Sequence, residues 1–176
     1  MTDKLETTYD LFLHDLRAVL YLERMLVEEL DNMAGEVTND ELAEALRKHG
    51  KETEGQVERV ESVFETLGEN MEEHEAADYK GIFEEADHLN RDIMEAEMVN
   101  VAFLNTAVKI ERVEMTAYEG LLRMANNLKM TMPDEDLDKV ADLLRRNHKE
   151  EEDALERLQD IGRESWMEKL IRRLTP

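Results

Sequence analysis

The sequence predicts an all-α protein in which four long helices pack into one bundle. Apolar residues recur at alternating steps of four and three residues over long stretches, which is the spacing of one helix face. The 176 residues include only seven Gly and two Pro, so few turns are expected. A chain of this length can bury a core of its own, and we predict a single domain over residues 1–176.

The first predicted hairpin joins helices at about 4–33 and 38–67. Thr38 and Glu41 have the spacing of a capping box at the start of the second helix. Gly68 follows the last apolar residue of that helix and is expected to end it. Because the connection is short, the two helices should be antiparallel neighbours.

A second hairpin follows after a long connection. The further helical segments are predicted at about 80–90, 92–128, 133–161 and 164–174. Pro133 suits the first turn of the fourth long helix, and Gly162 is expected to separate that helix from a short C-terminal helix. Two antiparallel hairpins joined by a long crossover that contains a short helix are the layout of ferritin-like four-helix bundles. We therefore predict a ferritin-like bundle with one additional terminal helix.

Charge limits the classes of partner. The 44 acidic and 22 basic residues give a net charge of −22, which argues against binding to nucleic acid or to anionic lipid. No stretch approaches the roughly 20 apolar residues of a membrane span, and the first residues lack the apolar region of a signal peptide. We therefore expect a cytoplasmic protein without membrane or nucleic-acid partners. The acidic composition also suggests a halophilic source.

Acidic residues interrupt the apolar seams of the predicted helices near their middle. Glu23 lies between Val19 and Leu26 on the first seam, while Glu111 and Glu151 interrupt the third and fourth. The second long helix is polar over the same part of its seam, at His49, Thr53 and Gln56. A buried carboxylate is costly unless it is paired, hydrogen-bonded or bound to a metal. The pattern therefore predicts a metal site inside the bundle.

Seven residues are the candidate metal ligands: Glu23, His49, Glu52, Glu111, Glu114, His148 and Glu151. Carboxylates with imidazoles suit two ions of iron or manganese, and bridging carboxylates offset the repulsion between the two cations. Open positions on the metals would admit O₂ or peroxide. Glu150 is the alternative to Glu151 if the register differs, and His49 either binds metal or orients a carboxylate. Tyr118 either hydrogen-bonds near the site or is structural.

Several segments resemble the YciE/YciF-like family of ferritin-like proteins. The matching segments are 11–14, the stretch around Glu23, 49–59, 81–86, 109–114 with Tyr118 after it, and the Glu150–Glu151 pair. The resemblance extends to about residue 161. It implies a four-helix bundle with a dinuclear metal centre, frequent dimerisation and a link to stress responses. Arg112 stands where family members carry His, and His148 stands where they carry an apolar residue.

Two classes of function are open at this point. The first is a homodimeric metal protein that oxidises Fe(II) or reacts with O₂ or peroxide. The second is a non-catalytic structural or interaction bundle, in which a metal-free polar core fixes the helix register and Arg59 or Arg112 neutralises the carboxylates. A stripe of apolar residues on the terminal helix is a candidate docking surface, at Trp166, Leu170, Ile171 and Leu174.

Overall fold

The computed structural model describes residues 4–72, 76–133 and 136–174, and of residues 78, 87, 89, 90 and 164–174 it describes the backbone alone. These ranges contain five helices: α1 (Thr8–Glu36), α2 (Asp40–Leu67), α3 (Ala77–Asp92), α4 (Ala96–Leu128) and α5 (Leu137–Leu174). No strand occurs in the described ranges. No helix there is long and apolar enough to cross a membrane.

The four long helices surround one axis in the order α1, α2, α5, α4, and α3 packs against α4. Neighbouring helices are antiparallel. Across α2 and α5, for example, Glu52 pairs with Arg157 while Arg59 pairs with Asn147. The contacts between α1 and α4 run in the same antiparallel sense. Because α2 and α4 therefore point the same way, the connection through α3 returns the chain along the bundle. The predicted all-α, ferritin-like layout is confirmed.

Side chains cap the first two helices. Thr7 Oγ1 accepts a hydrogen bond from the backbone N–H of Asp10 at 3.1 Å, and the carboxylate of Asp10 accepts one from the N–H of Thr7 at 2.9 Å. For α2, Asn39 Oδ1 accepts a hydrogen bond from the N–H of Leu42 at 2.8 Å. The capping box that was predicted to start at Thr38 is therefore wrong by one residue, since Asn is at least as good a cap as Thr.

The boundaries around the crossover agree with the prediction in part. Gly68 ends α2 as predicted, with a φ of +67° in the left-handed region that Gly adopts without a steric cost. The crossover helix covers Ala77–Asp92 and is longer than the predicted 80–90. The next helix begins at Ala96, four residues later than predicted, because Glu95 has an extended backbone.

The last helix differs most from the prediction. Pro133 lies in the turn before α5, and Asp136 caps the helix by accepting a hydrogen bond from the N–H of Lys139 at 3.2 Å. The helix then continues through Gly162, so the separate terminal helix that the sequence predicts is the end of α5. A Gly inside a helix costs only ~1 kcal/mol relative to Ala. A Cβ at Gly162 would lie 3.3 Å from Leu104 Cδ2, so Gly lets α4 and α5 pack closely.

Two apolar clusters fill the bundle, one on each side of a polar layer. The first includes Phe12, Leu16, Val60, Phe64, Leu121 and Leu144. The second includes Leu26, Leu30, Leu46, Phe103, Ile110 and Leu158. The polar layer is therefore enclosed along the bundle axis, as the interrupted apolar seams predict. The predicted docking stripe falls outside the residues whose side chains are described.

Candidate metal centre

A layer of buried polar side chains crosses the middle of the bundle, and all four long helices contribute to it. The residues are Glu23 from α1, His49, Thr53 and Gln56 from α2, Glu111, Glu114 and Tyr118 from α4, and Asn147 and Glu151 from α5. Each of these residues is 3 % exposed or less. Their charges and dipoles must therefore be satisfied within the bundle and not by bulk water.

Four of these side chains converge on one point. His49, Glu111, Glu114 and Glu151 each offer one ligand atom, and these atoms lie within 4.8 Å of one another. His49 Nε2 is 3.1 Å from Glu111 Oε1 and 3.6 Å from Glu151 Oε2. The sequence predicts all four as ligands, and the structure brings all four together. We call this group the carboxylate cluster.

Glu23 enters the same layer from α1. One of its oxygens accepts a hydrogen bond from the Tyr118 hydroxyl, and Oε2 has no hydrogen-bond partner in the described part of the chain. The Tyr118 oxygen in turn accepts a hydrogen bond from Asn147 Nδ2 at 2.8 Å, which fixes the hydroxyl toward Glu23. Burial, and then the nearby charge of Glu151, raises the pKa of Glu23 well above its ordinary value. Glu23 is therefore electrostatically part of the cluster.

Burial controls the protonation of the cluster. Removal from water penalises the charged form of a carboxyl group, and it raises the pKa values of Glu114 and Glu151 well above the usual range. It raises the pKa of Glu111 to about 8. Without a cation, the layer therefore holds protons at neutral pH.

Several carboxyl oxygens of the layer have no hydrogen-bond partner among the described residues. They are both carboxyl oxygens of Glu114 and Oε2 of Glu23, Glu111 and Glu151. Buried polar atoms of native proteins are almost always satisfied, so a group of unpartnered oxygens indicates room for a further partner. A metal ion would satisfy these atoms and oppose their charge. The donor set of carboxylates with one imidazole fits iron or manganese.

Glu52 lies beside the carboxylate cluster and not within it. Its side chain is 24 % exposed, forms an ion pair with Arg157 and lies 3.5 Å from Lys48 Nζ. Its Oε2 is 3.8 Å from His49 Nδ1. Partial burial acts to raise the pKa of Glu52, but the contact with His49 and the charge of Arg157 outweigh it and lower that pKa. Glu52 is therefore an ionised carboxylate on the outer side of the imidazole.

The other sequence candidates also lie at the margin. His148 is partly exposed, and its Nε2 is 3.8 Å from Glu119 Oε1, away from the cluster. Glu150 is half-buried and ion-paired, whereas Glu151 is fully buried, so the register that places Glu151 in the core is the observed one. The side chain of Arg112 is exposed and does not lie among the buried carboxylates.

Thr53, Gln56 and Asn147 belong to the layer but were not assigned roles at the site from the sequence, and the two amides are hydrogen-bonded to its other members. Gln56 Nε2 donates a hydrogen bond to Glu151 Oε1. Asn147 Nδ2 contacts the backbone oxygen of Gln56 at 3.2 Å, and its Oδ1 accepts a hydrogen bond from Arg59 Nε. The sequence feature that could have identified Gln56 and Asn147 is an amide residue at an apolar-seam position on each of α2 and α5. Arg59 thus reaches the layer through Asn147 and not through a buried carboxylate.

Comparisons with known proteins identify relatives over most of the chain. The family described as "Domain of unknown function (DUF892)" matches residues 7–171. Protein YciF of Escherichia coli (strain K12) is 28% identical over 125 residues, which cover 70% of this chain and 75% of YciF.

Two solved structures are similar throughout. YcfI from Rhodopseudomonas palustris, named as a structural protein, superimposes with a TM-score of 0.84 at 28% identity, covering 90% of this chain and 97% of YcfI. The E. coli stress protein YciF gives a TM-score of 0.81 at 27% identity, covering 89% of this chain and 95% of YciF. The chain therefore belongs to the DUF892 family and is a YciF-like helical protein, as its sequence motifs predicted.

Proposed function

We propose that this protein binds two ions of iron or manganese in its polar layer and that the loaded protein oxidises Fe(II) or reacts with O₂ or peroxide. The proposed ligands are Glu23, His49, Glu111, Glu114 and Glu151. The observation that supports the proposal most is the group of buried carboxylate oxygens that lack hydrogen-bond partners in the described chain. When ionised, the four carboxylates carry four negative charges, which two divalent cations would balance.

Two of the predicted ligands are left out of this set. Glu52 is engaged by Arg157 outside the cluster, and His148 faces Glu119, with 3.8 Å between Nε2 and the Oε1 of that residue. Both side chains are also more exposed than the proposed ligands. A buried ligand set with few solvent contacts would hold its ions more tightly than a set that includes exposed groups.

The chain and the metals would have separate tasks. Bound iron or manganese would supply the electrons that reduce O₂ or peroxide. Gln56 and Tyr118 donate hydrogen bonds to Glu151 and Glu23, and they leave one oxygen of each carboxylate free of hydrogen bonds. Partners of this kind orient metal ligands and commonly affect affinity as much as some ligands do. The apolar clusters on both sides exclude water from the layer.

The second candidate function is a structural one, in which the polar core contains no metal. Beyond the effect of burial, a hydrogen bond between the Glu111 and Glu151 carboxyls raises the pKa of Glu151 and lowers that of Glu111, as expected when Glu151 holds the shared proton. Such a pair could fix the register of α4 against α5 without a metal. The description of YcfI as a structural protein is consistent with this alternative.

Metal content distinguishes the two candidates. Purified protein is incubated anaerobically with Fe²⁺ or Mn²⁺, desalted and analysed by plasma mass spectrometry. We expect about two ions per wild-type chain and a large loss in Glu114→Gln, which preserves shape but removes a charge. Glu119→Gln, a half-exposed position on the same helix, should bind as the wild type does. A folded wild-type protein that retains neither metal would support the metal-free alternative.

Oxygen consumption tests the proposed reaction. Fe²⁺-loaded wild-type protein should consume O₂ or peroxide faster than Glu114→Gln at equal total iron, measured with an oxygen electrode or a peroxide assay. Equal rates would assign the consumption to free iron in solution. The Glu119→Gln variant again provides the control for removal of one negative charge.

The cellular setting belongs to the same proposal. A dimer with a stress-response role is what the family resemblance implies, and YciF is named as a stress protein. The cytoplasmic location is the expectation from the sequence itself. Light scattering of the full chain in low and high salt tests dimer formation. A fold that is stable only in molar salt would support the proposed halophilic source, because a net charge of −22 needs screening.

A further inference from the structure

A small empty space lies beside His49 at the α2–α5 interface. It is a narrow gap between the helices without room for a water molecule, and its other walls are Ala45, Leu46, Ala154, Arg157 and Leu158. A passing ion would therefore have to widen it. Arg157 is the charged residue of this lining, and its guanidinium forms an ion pair with Glu52. The space is thus bounded by an imidazole of the carboxylate cluster and by Arg157, whose ion-pair partner Glu52 is partly exposed.

His49 connects the two sides of this boundary. Its side chain is 4% exposed, and Nδ1 has no hydrogen-bond partner among the described residues. Nδ1 is 3.8 Å from Glu52 Oε2, whereas Nε2 is 3.1 Å from Glu111 Oε1. A partly exposed carboxylate, a buried imidazole and a buried carboxylate therefore follow one another from the surface to the cluster.

An open cleft adjoins the outer side of the empty space. Its charged walls are Glu41, Glu44 and Asp160 together with Lys48 and Arg157. Ala45 and Arg157 line both the cleft and the empty space, so the two are neighbours. The excess of acidic over basic side chains in this cleft favours the approach of a cation over that of an anion.

We propose that metal ions enter the bundle at this point, with Glu52 as the entry ligand and Arg157 as its resident partner. An arriving divalent cation displaces the guanidinium from Glu52 and then passes by His49 to the carboxylate cluster. The ion exchanges one ligand for the next along this route, so it is never left in the apolar interior without a ligand. In the absence of metal, Arg157 neutralises Glu52 and closes the route. This inference rests on the proposed metal site.

Stopped-flow binding of Co²⁺, followed by its visible absorption, tests the route in the full chain. The final amplitude reports the cluster, and the rate reports entry. Glu52→Gln should load about tenfold more slowly or worse, because charged clefts raise on-rates by roughly 10- to 1,000-fold, and it should reach the wild-type amplitude. Arg157→Met should load faster than the wild type. Ala45→Leu adds bulk at this gap without a change of charge and should also slow loading.

The Glu61–Arg24 pair between α1 and α2 offers a matched control. Its atoms are 2.6 Å apart, and its side chains are partly exposed, somewhat more so than those of the Glu52–Arg157 pair. Glu61→Gln should load at the wild-type rate. The entry route is overturned if Glu52→Gln loads as fast as Glu61→Gln, and a lower final amplitude in Glu52→Gln would instead make Glu52 a ligand of the cluster. A wild-type protein without any Co²⁺ amplitude would reject the metal site itself, and the route with it.

Discussion

Glu114 is the residue at which stability and the proposed function oppose each other most clearly. It is 1 % exposed, and neither carboxyl oxygen has a hydrogen-bond partner in the described chain. Burial and then the charges of Glu151 and Glu23 raise its pKa. A group that destabilises the metal-free fold but would be satisfied by a cation is typical of a binding site. Natural proteins commonly lose stability at such positions.

Replacement of Glu114 should therefore stabilise the metal-free protein at high pH. Above the ordinary pKa of a Glu, the folded wild type must keep a proton on Glu114, and this costs about 1.4 kcal/mol per pH unit. Glu114→Gln removes that cost. We expect the free energy of unfolding in urea to exceed that of the wild type by about 1 kcal/mol or more at pH 8. The difference should shrink at pH 5. Glu119→Gln is the exposed control, and an equal gain in that variant would point to net charge instead.

Tyr118 is expected to stabilise the layer through its hydroxyl. In Tyr118→Phe, Glu23 loses its hydrogen-bond donor and Asn147 loses an acceptor at 2.8 Å. Leaving buried polar groups without partners costs about 1–3 kcal/mol, and we expect a loss of this size in urea unfolding. Tyr21→Phe, at a half-buried position on α1, is the control and should lose less. Equal losses would show that the hydroxyl of Tyr118 has no special role.

At the scale of the helices, the sequence predicts which helices form, and in which order, better than it predicts the residues at which they begin and end. Gly68 ends α2 as predicted because a left-handed residue and the apolar spacing both indicate that position. Asn39 and Thr38 are both suitable caps, and only tertiary contacts choose between them. Pro133 is compatible with a turn as well as with a first helical turn. Gly162 is a helix stop in isolation, but close packing against α4 overrides that tendency.

The same limit explains which candidate ligands the sequence places correctly in the layer. Glu23, Glu111 and Glu151 interrupt apolar seams, so helical periodicity alone predicts that they face the core. Glu52 and His49 are three residues apart, and on a helix both lie close enough to the seam to be candidate ligands. In the structure His49 enters the layer while Glu52 turns toward the flank of α5. The rotation of α2 about its own axis relative to α5 decides which of the two side chains faces the layer. The spacing of residues in the sequence does not specify that rotation.

The end of α2 offers a test of the boundary at Gly68. Gly68→Ala forces a side chain into the left-handed region at φ +67°, and we expect a loss of about 1 kcal/mol. Gly81→Ala inside α3 is the matched control, because neither position has an atom within 4 Å of the added Cβ. That control should be neutral or stabilising by up to about 1 kcal/mol. Urea unfolding of both variants measures the difference, and a loss in Gly81→Ala alone would contradict the assignment.

At the scale of the whole molecule, two apolar clusters hold a layer that is poorly satisfied without cations. Because the clusters are on both sides of the layer, they can maintain the four-helix frame while the layer itself costs stability. The frame is therefore pre-organised, and metal binding would not have to fold the bundle. This separation predicts that metal and pH should change stability strongly but secondary structure only slightly.

The pH dependence of stability follows from the raised pKa values. Burial keeps the pKa of Glu111 at about 8 against 4.5 for an unperturbed Glu. Between these values the folded protein holds a proton that the unfolded chain has released, so stability is greatest below about pH 4.5 on this account and decreases as the pH rises toward 8. Glu23, Glu114 and Glu151 shift in the same direction. The metal-free protein should therefore have a lower Tm at pH 8 than at pH 5.5.

Added metal should reverse this trend. Ligands must lose their protons to bind, so a metal stabilises the folded state more as the pH rises. We expect excess Mn²⁺ to raise the Tm more at pH 8 than at pH 5.5, measured by calorimetry in 0.5 M salt to screen the surface charges. Glu111→Gln should flatten the slope of the metal-free protein, while Glu119→Gln should retain it. An unchanged Tm between the two pH values in metal-free wild type would show that the buried carboxyls do not hold protons. The cluster would then need a different balancing charge.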